Sequence, residues 1–106
     1  FGAGYNATAS GELSMAFGAN VTASGLGSMA FGGNATASGP GSMVFGQASA
    51  TPGISAIAIG TANTASGSAS MALGSRTTAS GGFSTAMGTY TDTNGKAGSF
   101  ALGDYS

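Results

Sequence analysis

The chain has 106 residues, of which Gly (21), Ala (21), Ser (16) and Thr (12) make 70, while Leu, Ile, Val and Phe together make 15. It carries two basic and three acidic residues, a formal net charge of −1, and no Cys, His or Trp. That composition excludes a disulfide framework, thiolate or imidazole metal ligation, a Cys nucleophile or His base, and a basic surface for nucleic acid. The stretch from Leu13 to Ser75 is uncharged over 63 residues. Gly, Ser, Thr or Asn interrupts it every few positions, so no membrane insertion is expected of it. No signal peptide or lipidation motif opens or closes the sequence, which reads as a segment of a longer protein.

Taken in order, the sequence repeats. Phe1-Gly2 opens it, and Phe17-Gly18, Phe31-Gly32, Phe45-Gly46, Ile59-Gly60, Leu73-Gly74 and Met87-Gly88 then recur every 14 residues, with Leu102-Gly103 following after 15. A second glycine column, Gly11, Gly25, Gly39, Gly53, Gly67, Gly81 and Gly95, keeps the 14-residue spacing throughout. Helices do not suit two fixed glycine columns with so little Leu, Glu, Lys and Arg. Each unit instead holds two short alternating runs, Ser-Met-Ala-Phe-Gly and Asn-x-Thr-Ala-Ser-Gly, each closed by glycine. The spacing predicts one all-β repeat domain over 1–106, a parallel β-solenoid of about seven coils. Coils stacked at about 4.8 Å give a rod roughly 34 Å long. An extra residue is expected in a loop between Thr89 and Ser99. Pro52, in the divergent Ala50-Thr51-Pro52-Gly53, predicts a local flaw or bulge because proline removes a ladder donor.

The second run predicts a strand with a polar outside, formed by Thr8, Ser10, Thr22, Ser24, Thr36, Ser38, Thr64, Ser66, Thr78 and Ser80. Alanines 9, 23, 37, 65 and 79 alternate with them on the inside. The first run is apolar on both faces. Met15, Phe17, Met29, Phe31, Met43, Phe45, Ile57, Ile59, Met71, Leu73, Phe100 and Leu102 form a bulky column. Ala16, Ala30, Val44, Ala58, Ala72, Ala86 and Ala101 form the opposite one. A strand apolar on both sides is normally buried on both, which predicts self-association. The expectation set here is a coil core made by the bulky column and an interface between sister chains made by the alanine column; the reverse assignment is also compatible with the pattern.

Ser-x-Ala-Ile/Leu/Phe-Gly followed by Ala-Ser-Gly every 14 residues resembles the head repeats of trimeric autotransporter adhesins, the YadA-like heads. Ser55-Ala56-Ile57-Ala58-Ile59-Gly60, Ser70-Met71-Ala72-Leu73-Gly74 and Ser99-Phe100-Ala101-Leu102-Gly103 carry it most clearly, and it extends from Phe1 to Gly103. The resemblance implies a left-handed parallel β-roll assembled as a homotrimer. It implies display outside the cell, with outer-membrane anchoring through segments not present here. It further implies a non-enzymatic role in attaching cells to host matrix, other cells or abiotic surfaces. The chain departs from the pattern in having Phe and Met where Ile and Val are usual. Similar repeats in phage and virion fibres leave a structural fibre segment as an alternative. An ice-binding solenoid using the Thr/Ser face is another.

No catalytic constellation, metal site or cofactor site is assigned. Glu12 lies five coils from Asp92 and Asp104. Asp92, Asn94 and Asp104 are read as a polar loop in preference to a Ca²⁺ site. Gly2-Ala3-Gly4-Tyr5 lacks the rest of a dinucleotide fingerprint and is read as a turn. Asn6-Ala7-Thr8, Asn20-Val21-Thr22 and Asn34-Ala35-Thr36 match the N-glycosylation sequon, but an Asn column two residues before a Thr column produces it as a by-product. Tyr5, Tyr90, Tyr105 and Phe83 fall outside the bulky column; loop packing and end capping are expected of the tyrosines.

Overall fold

A computed structural model describes residues 2–104. Phe1 and Tyr105, singled out above, lie outside them. The described chain is all β and winds into a solenoid of 35 × 21 × 11 Å, close to the length expected from the repeat. One sheet has eight strands: Gly2–Ala3, Met15–Ala19, Met29–Gly33, Met43–Gln47, Ile57–Thr61, Met71–Ser75, Thr85–Thr89 and Phe100–Asp104. The other has six two-residue strands: Thr8–Ala9, Thr22–Ala23, Thr36–Ala37, Ala50–Thr51, Thr64–Ala65 and Thr78–Ala79. Successive strands within each sheet pair in parallel, and the chain passes between the sheets twice per coil.

Register follows the repeat. Met15 pairs with Met29 and Met29 with Met43, and Phe17 pairs with Phe31 and Phe31 with Phe45. The ladder also continues round both turns. Gly27 N–H donates to the Glu12 carbonyl at 2.8 Å, and Asn20 N–H donates to the Tyr5 carbonyl at 2.7 Å, with equivalents in later coils. Backbone groups are therefore satisfied by the neighbouring rung even where the chain bends, as burial requires.

The two glycine columns serve different needs. Gly18, Gly32 and Gly46 have φ of 124°, 131° and 134°, a region open to glycine alone, and a Cβ there would fall on the carbonyl oxygen of the next glycine in the column. Gly11, Gly25 and Gly39 have no positive φ, and close approach alone excludes a side chain: a Cβ would strike the next rung's backbone.

The sidedness of the long strands reverses the expectation. Ala16, Ala30, Val44, Ala58, Ala72 and Ala86 are fully buried inside the coil, where they meet Ala23, Ala37, Ala65 and Ala79 of the short strands. Ala101 is half-buried. None of the proposed core residues Met15, Phe17, Met29, Phe31, Met43, Phe45, Ile57, Ile59, Met71, Leu73, Phe100 and Leu102 is buried. The cause is space. A 14-residue coil only 11 Å thick encloses a methyl group per inward position, not pairs of Met and Phe side chains. From Ala16 to Ala86 the column accordingly has no surface to offer a sister chain.

Two local expectations are refined. Pro52 produces no bulge. Thr36 and Ala37 still pair with Ala50 and Thr51, but on the other side only Ala50 keeps a partner, Thr64. The ladder thins without changing its period. In the last coil a Cβ on Gly81 would meet the Lys96 backbone, and Ser99 Oγ donates to the Lys96 carbonyl at 2.7 Å as Ser84 Oγ does to Gly81. Lys96, not Gly95, therefore continues the second glycine column, which places the extra residue just ahead of it.

Candidate functional surfaces

The long sheet presents its bulky column outward. Met15, Phe45 and Met71 are each 37% exposed and Ile59 is 45% exposed, so each still shows apolar surface although its neighbours above and below cover its flanks. Phe17, Phe31 and Phe45 form a ladder with ring centroids 4.7 and 4.9 Å apart, the second pair stacked at an interplanar angle of 2°. Ile59, Leu73 and Met87 continue the same register. Among the described residues no element packs over this face, which makes a continuous apolar strip along the rod.

The short sheet presents the other candidate surface. Thr22, Thr36, Thr64 and Thr78 are half-buried, Thr8 is exposed, and Ser10, Ser24, Ser38 and Ser66 are exposed, with Ser80 half-buried. These residues point outward as the alternation predicts. Ala50 and Pro52 stand where Thr and Ser would continue the pattern, dividing it into blocks of three and two rungs.

Several structural roles escaped the sequence reading. Ser14, Ser28, Ser42, Ser70 and Ser84 are buried, and each hydroxyl donates to the glycine carbonyl three residues earlier at 2.5–2.8 Å. The signal was present, because a serine precedes almost every bulky strand. Asn6, Asn20 and Asn34 occupy left-handed turn positions at φ 54–57°, which asparagine tolerates better than other side-chain-bearing residues. Backbone conformation explains the Asn of each sequon and strand exposure explains the Thr. The same turn position holds Ala48, Ala62, Arg76 and Tyr90 in later coils. Arg76 lies over the Tyr90 ring, 5.3 Å from its centroid, and donates to its hydroxyl.

Inside the roll one column changes character along the rod. It begins Ala7, Val21, Ala35 and continues Ser49, Asn63, Thr77, Thr91. Asn63 is fully buried with its amide fully used. Its nitrogen donates to the carbonyls of Ile59 (2.7 Å) and Gly74 (2.9 Å), and its oxygen accepts from the N–H (3.0 Å) and hydroxyl (2.8 Å) of Thr77. Ser49 Oγ accepts the Asn63 N–H at 3.2 Å. In contrast, the buried hydroxyls of Thr51 and Thr91 have no hydrogen-bond partner. In the polar loop, Asn94 N–H donates to Asp92 Oδ1 at 2.8 Å, closing a local turn.

A model of the YadA head domain repeat, built on two copies of the unit, matches residues 3–20, 23–51, 52–77, 65–91 and 79–106. The matches together span almost the whole chain. The chain belongs to the YadA head repeat family. No curated protein matches it in sequence. In this YadA head the repeat that the family model recognises is the geometric coil itself: one long strand, one short strand and two turns. The Ser-x-Ala-x-Gly portion supplies the buried serine, the inward alanine and the glycine at φ above 110°, while the residues between them form the outward apolar strip.

Proposed function

We propose that this chain is an adhesive head segment of a cell-surface fibre, in which three copies pack their apolar strips around a common axis and display their Thr/Ser faces outward. The observation that carries this is the uncovered apolar strip on the long sheet, with Phe45 and Ile59 more than a third exposed at its centre. Family membership supports both halves of the reading, because YadA heads are trimeric surface adhesins. The same membership supports anchoring in an outer membrane through other segments of a longer protein. The ligand class is host matrix, another cell or an abiotic surface. With two basic and three acidic residues, contact relies on hydroxyls, backbone groups and apolar patches, multiplied by the repetition of each coil and by the three chains.

Neighbouring residues test the trimer. Ala30 points into the coil and Phe31 out of it. Ala30→Asp buries a charge and is expected to abolish the β circular-dichroism signal. Phe31→Glu is expected to leave that signal while lowering the sedimenting mass below that of a trimer. A parent chain that sediments as a folded monomer overturns the assembly. Adhesion is tested by binding of the assembled chain to immobilised matrix proteins, cells and plastic. Binding is expected to change less than about twofold between low and physiological salt, since little of it is ionic; absence of binding to all three overturns the adhesive role.

A further inference from the structure

The two turn edges of the slab differ chemically. One edge, just before each long strand, carries Leu13, Leu26, Pro40 and Ile54 on four successive rungs. Leu13 is 82% exposed, Leu26 57% and Ile54 56%. The other edge, at the end of each long strand and just after it, carries Asn6, Asn20, Asn34, Gln47 and Arg76, with tyrosines near its two ends. We propose that the Leu13–Leu26–Pro40–Ile54 edge is the side on which each protomer meets its neighbour, and that the asparagine edge stays in solvent. The proposal rests on the trimer reading above and adds which edge of the slab turns inward.

Three observations favour a second copy of this chain as the occupant. First, the ridge continues the apolar strip. Leu13 lies two residues before Met15, Leu26 three before Met29 and Ile54 three before Ile57, separated from them by the buried Ser14, Ser28 or Ala56 and one turn residue at most. Second, a three-fold rotation does not exchange two neighbouring copies as a two-fold rotation does, so contacts between the copies are heterologous and join different parts of each protomer. A slab 21 Å wide and 11 Å thick, turned with its broad face to the axis, brings one edge against the neighbour. Third, Leu13 holds φ of 60° at a turn position that Gly27, Gly41, Ser55 and Ala69 fill on the next four rungs and Phe83, 75% exposed, on the fifth. A bulky residue in that conformation is strained, and in one chain alone it exposes its side chain to water for no compensating contact.

The described chain has no cysteine, so single thiols report cleanly on each edge. Leu26→Cys and Ile54→Cys in the assembled chain are expected to react with a maleimide at least about tenfold more slowly than Asn34→Cys, as for a group desolvated by a partner. The difference disappears when Phe31→Glu is added, and a short peptide containing the same cysteine gives the unprotected rate if that double variant does not fold. Leu26→Glu with Ile54→Glu is expected to weaken self-association by about tenfold or more, the value of one lost apolar anchor, while Asn20→Glu with Asn34→Glu does not. Equal labelling of both edges in an assembly that sediments as a trimer overturns the edge assignment and leaves the trimer standing. It would then place the ridge on the outer surface, open to an external ligand. A parent that is monomeric overturns the trimer reading, and this proposal with it.

Discussion

Gly32 and Gly27 show how differently two glycines of one repeat are constrained. Gly32 sits at φ 131° with the Gly46 carbonyl where its Cβ would be, whereas Gly27 sits at φ 65° with open space around it. Gly32→Ala is therefore expected to cost about 3 kcal/mol or more, since backbone must move. Gly27→Ala is expected to cost about 1 kcal/mol, the penalty of the left-handed region alone. Urea denaturation of the two variants compares them directly. The left-handed turn position offers the converse change: Ala62→Asn, at φ 58°, is expected to raise stability by a few tenths to about 1 kcal/mol. Spacing alone disclosed both glycine columns, but not why the asparagines recur. Asn6, Asn20 and Asn34 spell a modification motif with their threonines, and only the turn dihedrals show that each residue has an independent local reason to be there.

At the scale of the strand and the coil, the alternation within Met-Ala-Phe and Thr-Ala-Ser separates two faces of each strand, and in the short strands the polar face marks the outside. The long strand is apolar on both faces, so alternation gave no direction. Interior volume settled it, and volume depends on how many residues close the coil and how tightly the glycines let rungs approach. The buried polar column has a separate consequence. Asn63→Ala leaves the Thr77 N–H and the Ile59 and Gly74 carbonyls without the amide that serves them, and is expected to cost about 1–3 kcal/mol. Thr51→Ala removes a buried hydroxyl that has no partner and restores the alanine of the adjacent rungs, Ala37 and Ala65; it is expected to be neutral or stabilising by up to about 1 kcal/mol. A shift in urea midpoint of opposite sign for these two variants is the outcome to look for.

For the molecule as a whole, the in-register strands make stability a sum of rung-to-rung contacts, so a thinned rung is a boundary. The buried apolar core divides there, with Val44 ending one cluster and Ala56 beginning the next, on either side of Thr51 and Pro52. Hydrogen exchange is expected to show the two halves as separately opening units. The ladder's direction also governs how the rod bears load. Its backbone hydrogen bonds run along the rod, between one rung and the next, while the strands lie across it. A head held at one end and bound to a surface at the other is pulled along those bonds, which yield in sequence rather than together. Each rung that opens frees one 14-residue repeat, or about 45 Å of slack at full extension. Under tension the rod behaves as a tether that lengthens stepwise, and single-molecule pulling is expected to record increments of about that size.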